Sequence, residues 1–242
     1  MDSIIPENTQ QLLAEDSLFP FSCDDTLPCF TQCCRDVNIY LTPYDVLRLR
    51  RALRMGSAEF LARYTRHFLE RSTSVPVVQL AMAVETLQCH LVTAGGCSVY
   101  HDRPWACRMY PLDITGKRGI YRIVAQSERC LGLRQRALQT VAKWLVNQGV
   151  APYLEMEKAF HMVMPESFQP GSNLGIGLGK LLFLAYDLDR FLDLLKDVHF
   201  RAIYEVDDAL LQQVESDDEA LLRLAFRYIR NQLDELYVPP GK

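Results

Sequence analysis

Eight cysteines lie in this 242-residue chain, all of them between positions 23 and 130. Seven form two tight sets: Cys23, Cys29, Cys33 and Cys34, then Cys89, Cys97 and Cys107; Cys130 stands apart. The opening, MDSIIPENTQ, has neither the basic stretch nor the apolar run of a secretion signal, so the expected location is cytoplasmic. Reducing compartments do not sustain disulfide frameworks, and clustered thiols there point to metal binding or redox chemistry.

A chain of this size buries an ample core without a metal. Hydrophobic residues make up 49% and charged residues 23%, as in ordinary globular proteins. The net charge of -4 argues against a general nucleic-acid binder. The most apolar piece, residues 177–195, carries Lys180, Asp187, Asp189, Arg190 and Asp193, which argues against a membrane span. The oligomeric state is not legible.

The pattern predicts a mainly α fold: a helical domain with a small cysteine-rich hairpin and loop region holding metal. Residues 1–28 read as irregular. Thr42-Pro43-Tyr44-Asp45 supplies a capping hydroxyl, a proline at the first helical position and a carboxylate three residues after the cap, so a helix starts there. Gly56 is its stop signal, and Ser57 caps a second helix carrying Phe60, Leu61, Tyr64 and Phe68. Residues 77–84 read as a strand. Gly95-Gly96 reads as the turn of a hairpin between 89–92 and 97–100, and 119–125 as another short strand. Helices are expected at 132–148, 152–163, 177–197 and 218–237. The organisation is a cysteine-rich metal-binding region, 1–130, and a helical region, 131–242, packed on it as one compact unit.

The first set reads Cys-x5-Cys-x3-Cys-Cys and the second Cys-x7-Cys-x9-Cys. Thiolate is a soft ligand suited to zinc or iron–sulfur clusters, and four complete one site, so eight thiols suffice for two. In an extended segment Cys33 and Cys34 would point to opposite sides, one toward each of two sites. Cys130 is either a ligand or an ordinary core cysteine. The spacing is not that of a zinc ribbon, nor of the radical enzymes that cleave S-adenosylmethionine.

The run Cys29-Phe30-Thr31-Gln32-Cys33-Cys34-Arg35, followed by Ile39-Tyr40-Leu41-Thr42-Pro43-Tyr44-Asp45 and Leu49, resembles the opening of the YkgJ-type cysteine-cluster proteins. The run from Cys89 through Gly96-Cys97-Ser98-Val99-Tyr100 to Arg103-Pro104-Trp105-Ala106-Cys107-Arg108-Met109-Tyr110-Pro111 is similar to that family's second signature. The family's usual first motif is Cys-x2-Cys-x2-Cys-Cys, and the gaps here are longer. The resemblance implies chelation of a zinc or iron ion by Cys23, Cys29, Cys33, Cys34, Cys89, Cys97, Cys107 and Cys130. A more distant similarity to flagellin lysine N-methylases implies, as alternatives, a [4Fe-4S] cluster, S-adenosylmethionine and a protein substrate. A helical adaptor with a structural zinc site is a third reading.

Arg35 and Arg108 directly follow cysteines and are either surface residues or counter-charges for an anionic thiolate site. His90 and His101 are auxiliary candidates; His67, His161 and His199 read as packing or surface residues. Asp102 and Asp113 flank the second motif. The arginines over 48–71 read as a solvated helix face. The glycine-rich run 171–180 lacks the Gly-Lys-Ser/Thr ending of a phosphate loop, because Leu181 follows Lys180.

Overall fold

The computed structural model describes residues 12–239. The expected irregular lead falls outside them for residues 1–11. Within them it is corrected: β1 (Leu12–Ala14) and β2 (Leu18–Pro20) are strands. Both pair with segments more than a hundred positions away, so no local pattern announces them.

The helix start at Thr42 forms as the sequence predicts. Helix α1 (Pro43–Ala52) has a complete capping box, in which Asp45 N–H donates to the Thr42 hydroxyl and the Asp45 carboxylate accepts from Thr42 N–H. It ends at Leu53 with Arg54 in the left-handed region (φ 55°), so Gly56 is not its stop. Gly56 instead caps α2 (Ser57–Tyr64), and the Ser57 hydroxyl serves a distant partner, donating to Asp187 at 2.8 Å and accepting from Asp189 N–H. Helix α2 stops before Phe68. Thr65–Leu69 form β3, paired antiparallel with β4 (Pro76–Leu80). The apolar spacing that suggested a longer helix is overridden by this hairpin.

The cysteine-rich hairpin is minimal: β5 (Val92–Thr93) and β6 (Gly96–Cys97), with Thr93 paired to Gly96, so the turn is Ala94-Gly95. A short helix α3 (Trp105–Met109) carries Cys107. Strands β7 (Leu112–Ile114) and β8 (Ile120–Ile123) form a three-stranded antiparallel sheet with β1, in the order β1-β8-β7. The helix expected over 132–148 is corrected. A 3-10 turn spans Leu131–Arg134, β9 (Leu138–Thr140) pairs with β2, and only then does α4 (Val141–Asn147) begin, capped by the Thr140 hydroxyl. Gly149, at φ 61°, ends it.

The remainder is helical: α5 (Ala151–His161), α6 (Ile176–Leu182), α7 (Leu188–Leu195), α8 (Val198–Ile203), α9 (Asp208–Ser216) and α10 (Asp218–Leu236). The single helix expected over 177–197 is broken at Tyr186-Asp187, where the Asp187 carboxylate caps α7. The fold is therefore mainly helical with small sheets. One core draws on Leu47, Leu49 and Phe60 together with Phe191, Leu222, Ile229 and Leu233. A second gathers Leu13, Phe19, Phe21, Met109, Leu112, Cys130 and Val141. Among the described residues, no helix is long and apolar enough to cross a membrane.

Candidate metal centre

Cys33 and Cys34 lie in a single 3-10 turn (Gln32–Cys34) entered through Thr31 at φ 66°. The segment is not extended, so the two thiols do not point to opposite sides. Their sulfurs are 3.9 Å apart and share a hydrogen bond. That bond favours ionising Cys33 before Cys34: Cys33 is brought down to about 7 and Cys34 is pushed up.

The two cysteine runs meet through their backbones. Cys89 N–H donates to the Cys34 carbonyl at 2.8 Å, and Arg35 forms an isolated antiparallel bridge with Gln88. From Cys89 the chain turns through Leu91 into β5, and Ser98 N–H returns to the Leu91 carbonyl after β6. This fold-back brings Cys97 to the Cys89 side. Gly96, at φ 104°, has Phe30 of the first run 3.0 Å from where a Cβ would sit, so the tip accepts no side chain without displacing that ring. Burial and the neighbouring Cys89 and Cys97 push Cys107 up to about 12. Burial likewise raises Cys89 and Cys97.

Cys130 reaches the first run by a different route. It precedes the 3-10 turn Leu131–Arg134, and Leu131 N–H donates to Cys29 Sγ at 3.3 Å. Ser22 N–H donates to the Gly132 carbonyl at 3.2 Å, which lays the Cys23 segment along the Cys130 segment. A Cβ on Gly132 would stand 2.8 Å from the Ser22 carbonyl, so this approach requires glycine. Cys130 is buried in the second core. Burial, followed by Cys33, Cys29 and Cys130, pushes Cys23 up to about 11.

With this geometry the comparison with known families is direct. Residues 22–136 match the family model CxxCxxCC, described as "Putative zinc- or iron-chelating domain". Over these residues the chain is similar to the YkgJ-type cysteine-cluster family. The helices after residue 136 lie outside the match. No curated protein and no solved structure matches the chain.

The family implies a metal, and the donor set fits one. Eight cysteines are free, and thiolates are the donors zinc and iron prefer among soft ligands. Among the described residues, no group of three or more His, Cys, Asp or Glu side chains is arranged so that it could hold a metal ion as it stands. The thiols are neighbours within electrostatic reach of one another.

Two buried guanidinium groups underlie the second run. Arg103 donates to the Tyr100 carbonyl and the Gln148 side chain; Arg108 donates to the carbonyls of Arg103, His101 and Gln148. Neither has a carboxylate among these partners, whereas buried charges are ordinarily paired. The thiols of Cys107 and Cys97 are among the neighbours of Arg103. The guanidinium beside these thiols is thus that of Arg103; Arg108 is occupied with carbonyls, and Arg35 is exposed. Arg103 was legible only as the start of Arg-Pro before Cys107.

Asp45 and Tyr110 carry roles the sequence did not signal. The Asp45 carboxylate, fully buried, accepts Trp105 N–H at 2.7 Å and so fixes the start of α3 beside Cys107. Burial pushes it up to about 6. Tyr110 is raised by burial and by its hydrogen bond with the Cys130 thiol.

The remaining candidates find other uses. His90 and His101 are exposed. His67 lies on β3, not on a helix, and stacks on Phe183. His161 is on α5 near Glu157, and His199 is at the start of α8. Asp102 pairs with Arg48 at 2.6 Å, and Asp113 with Arg122 at 2.7 Å. Arg50 and Arg51 pair with Asp218, which removes them from any free basic patch. The glycine-rich run leads into α6, where Gly179 packs directly on the Ser74 carbonyl.

Proposed function

We propose that this protein binds zinc or iron through its clustered cysteines, with Cys23, Cys29, Cys33, Cys34, Cys89, Cys97, Cys107 and Cys130 as the ligand pool. The observation that carries this reading is the hydrogen bond from Cys89 N–H to the Cys34 carbonyl. It joins the two runs of thiols directly. Thiols crowded in this way resist ionising together, and a bound cation reverses that preference. Both cores consist chiefly of residues other than the cysteines. Metal therefore serves a purpose beyond folding the chain as a whole.

Elemental analysis with an absorption spectrum, on protein purified anaerobically from cells, tests the reading. Stoichiometric zinc or iron supports it. Protein that carries neither, and takes up neither when reduced, overturns it. Iron with acid-labile sulfide turns the reading toward a [4Fe-4S] protein and the lysine N-methylase-like alternative, for which S-adenosylmethionine binding is the next measurement. A polar cleft of about 220 Å³ beside the Cys33 turn, lined by Thr31, Gln32, Arg35, Thr86 and Gln88, is where such a ligand would first be sought. Zinc that resists exchange favours the structural site of an adaptor.

A further inference from the structure

We infer that Cys33 and Cys34 are a redox modification site: a hydroperoxide joins their sulfurs in a vicinal disulfide, a dithiol reductant reopens it, and closure withdraws both thiols from metal. Formation of the bridge is independent of the metal-binding reading above. Its effect on metal uptake rests on that reading.

The pair is set apart by position. Among the described residues, Cys33 and Cys34 are the one pair of cysteines whose sulfurs are in hydrogen-bonding contact, 3.9 Å apart. In an extended segment neighbouring side chains diverge. Here Thr31, at φ 66°, turns the chain into Gln32–Cys34, and Cys34 N–H returns to the Thr31 carbonyl at 2.9 Å. Both thiols are free; Cys33 is exposed and Cys34 half-buried. A polar cleft is lined by Thr31 and Gln32 just before the pair and by Arg35 just after it. Small polar reagents therefore reach this turn from solvent, and they meet Cys33 first.

The oxidation balances in two steps. The Cys33 sulfur, as thiolate, attacks the hydroperoxide. The O–O bond breaks, an S–O bond forms, and the departing oxygen takes up the proton that Cys33 released, leaving as water or an alcohol. Cys33 is then a sulfenic acid. The Cys34 sulfur attacks the Cys33 sulfur; the S–S bond forms, the S–O bond breaks, and water leaves with the Cys34 proton. The thiols are oxidised and the peroxide is reduced.

A bridge between neighbours is tight. Adjacent Cα atoms are about 3.8 Å apart, short of the roughly 4.4–6.8 Å across ordinary disulfides. Strain of this kind makes a disulfide easy to reduce, as reversible ones are. The Cys34 carbonyl also receives Cys89 N–H at 2.8 Å. Oxidation thereby acts at the seam between the two cysteine runs.

The test uses the reduced, metal-free full chain, treated with hydrogen peroxide and then alkylated with iodoacetamide in denaturant. Peptide mass spectrometry is expected to show Cys33 and Cys34 unalkylated and joined to each other, with dithiothreitol restoring alkylation at both. In Cys34→Ser, shown by circular dichroism to be folded, dimedone should trap the Cys33 sulfenic acid that now lacks its partner. Zinc uptake by the bridged chain should fall below that of the reduced chain, and recover once dithiothreitol has been applied and removed. A pair that stays fully alkylated, Cys33 bridged to any other cysteine, or a Cys33 sulfenic acid that persists in the wild type overturns the inference. So does a bridge that leaves zinc uptake unchanged. A reduced chain that takes up neither zinc nor iron overturns the metal-binding reading and the effect on uptake, while the bridge itself is still decided by mass.

Discussion

The guanidinium carbon of Arg108 lies 4.5 Å from the centre of the Tyr153 ring. One side chain therefore links α3, which carries Cys107, to α5 of the helical half. Its three nitrogens are spent on three different carbonyls, from Arg103, His101 and Gln148. A planar fork meets that arrangement; an ammonium group does not. Arg108→Lys is expected to keep the charge and lose most of the bonding, lowering stability by about 2–3 kcal/mol. Urea unfolding with an unchanged midpoint would show that the fork does not matter.

Thiol reactivity is expected to follow the local environment. In reduced, metal-free protein at neutral pH, Cys33 has both exposure and a pKa brought down to about 7. The attacking species is the thiolate. Cys107, pushed up to about 12, and the buried Cys130 are expected to label last. Timed iodoacetamide labelling read by peptide mass spectrometry checks the order. Prior addition of zinc should protect Cys33. Equal rates at Cys33 and Cys107 would sink the assignment.

Asp45 makes a pH-dependent prediction. Burial raises its carboxyl from the ordinary 3.8 to about 6, so the folded protein holds this proton more tightly than the unfolded chain does. Stability from this group is greatest below about pH 4, declines as pH rises to about 6, and then levels off. The decline is on the order of 3 kcal/mol. Asp45→Asn removes it, at the expense of hydrogen bonds at Thr42 or Trp105. The wild type minus Asp45→Asn difference in unfolding free energy, measured from pH 4 to 7, should therefore fall with pH. A flat or rising difference contradicts the burial argument.

Two glycines of α6 are expected to behave oppositely. A Cβ on Gly179 would collide with the Ser74 carbonyl and press on Leu69 at 3.2 Å, whereas one on Gly177 meets nothing within 4 Å. Gly177→Ala should stabilise by up to about 1 kcal/mol through helix propensity, and Gly179→Ala should destabilise by at least as much. Thermal melts of the pair decide it. A run that resembled a nucleotide loop is here a packing contact against the β3–β4 hairpin.

Local chemistry was legible and long-range pairing was not. Thr42 and Asp45 announce α1 because a capping box is complete within four residues. Leu138–Thr140 reads as helix because its strand partner, Leu18–Pro20, lies at the far end of the chain. Phe68 fits a helical stripe, yet Thr65 pairs with Leu80, and no spacing rule contains that pairing. The same holds at the candidate centre. The sequence identifies the pool of eight thiols, while the company kept by Cys130 depends on a turn at Leu131–Gly132 and on a glycine that permits close approach.

The contact between Leu131 N–H and Cys29 Sγ spans 102 positions of the chain. During synthesis at about 5–20 residues per second, Cys29 is made some 5–20 seconds before its partner exists. Through that interval the early thiols have no completed fold around them. They are exposed to oxidants and to any passing metal, so the order of translation itself decides which cysteines most need protection while the protein is being born.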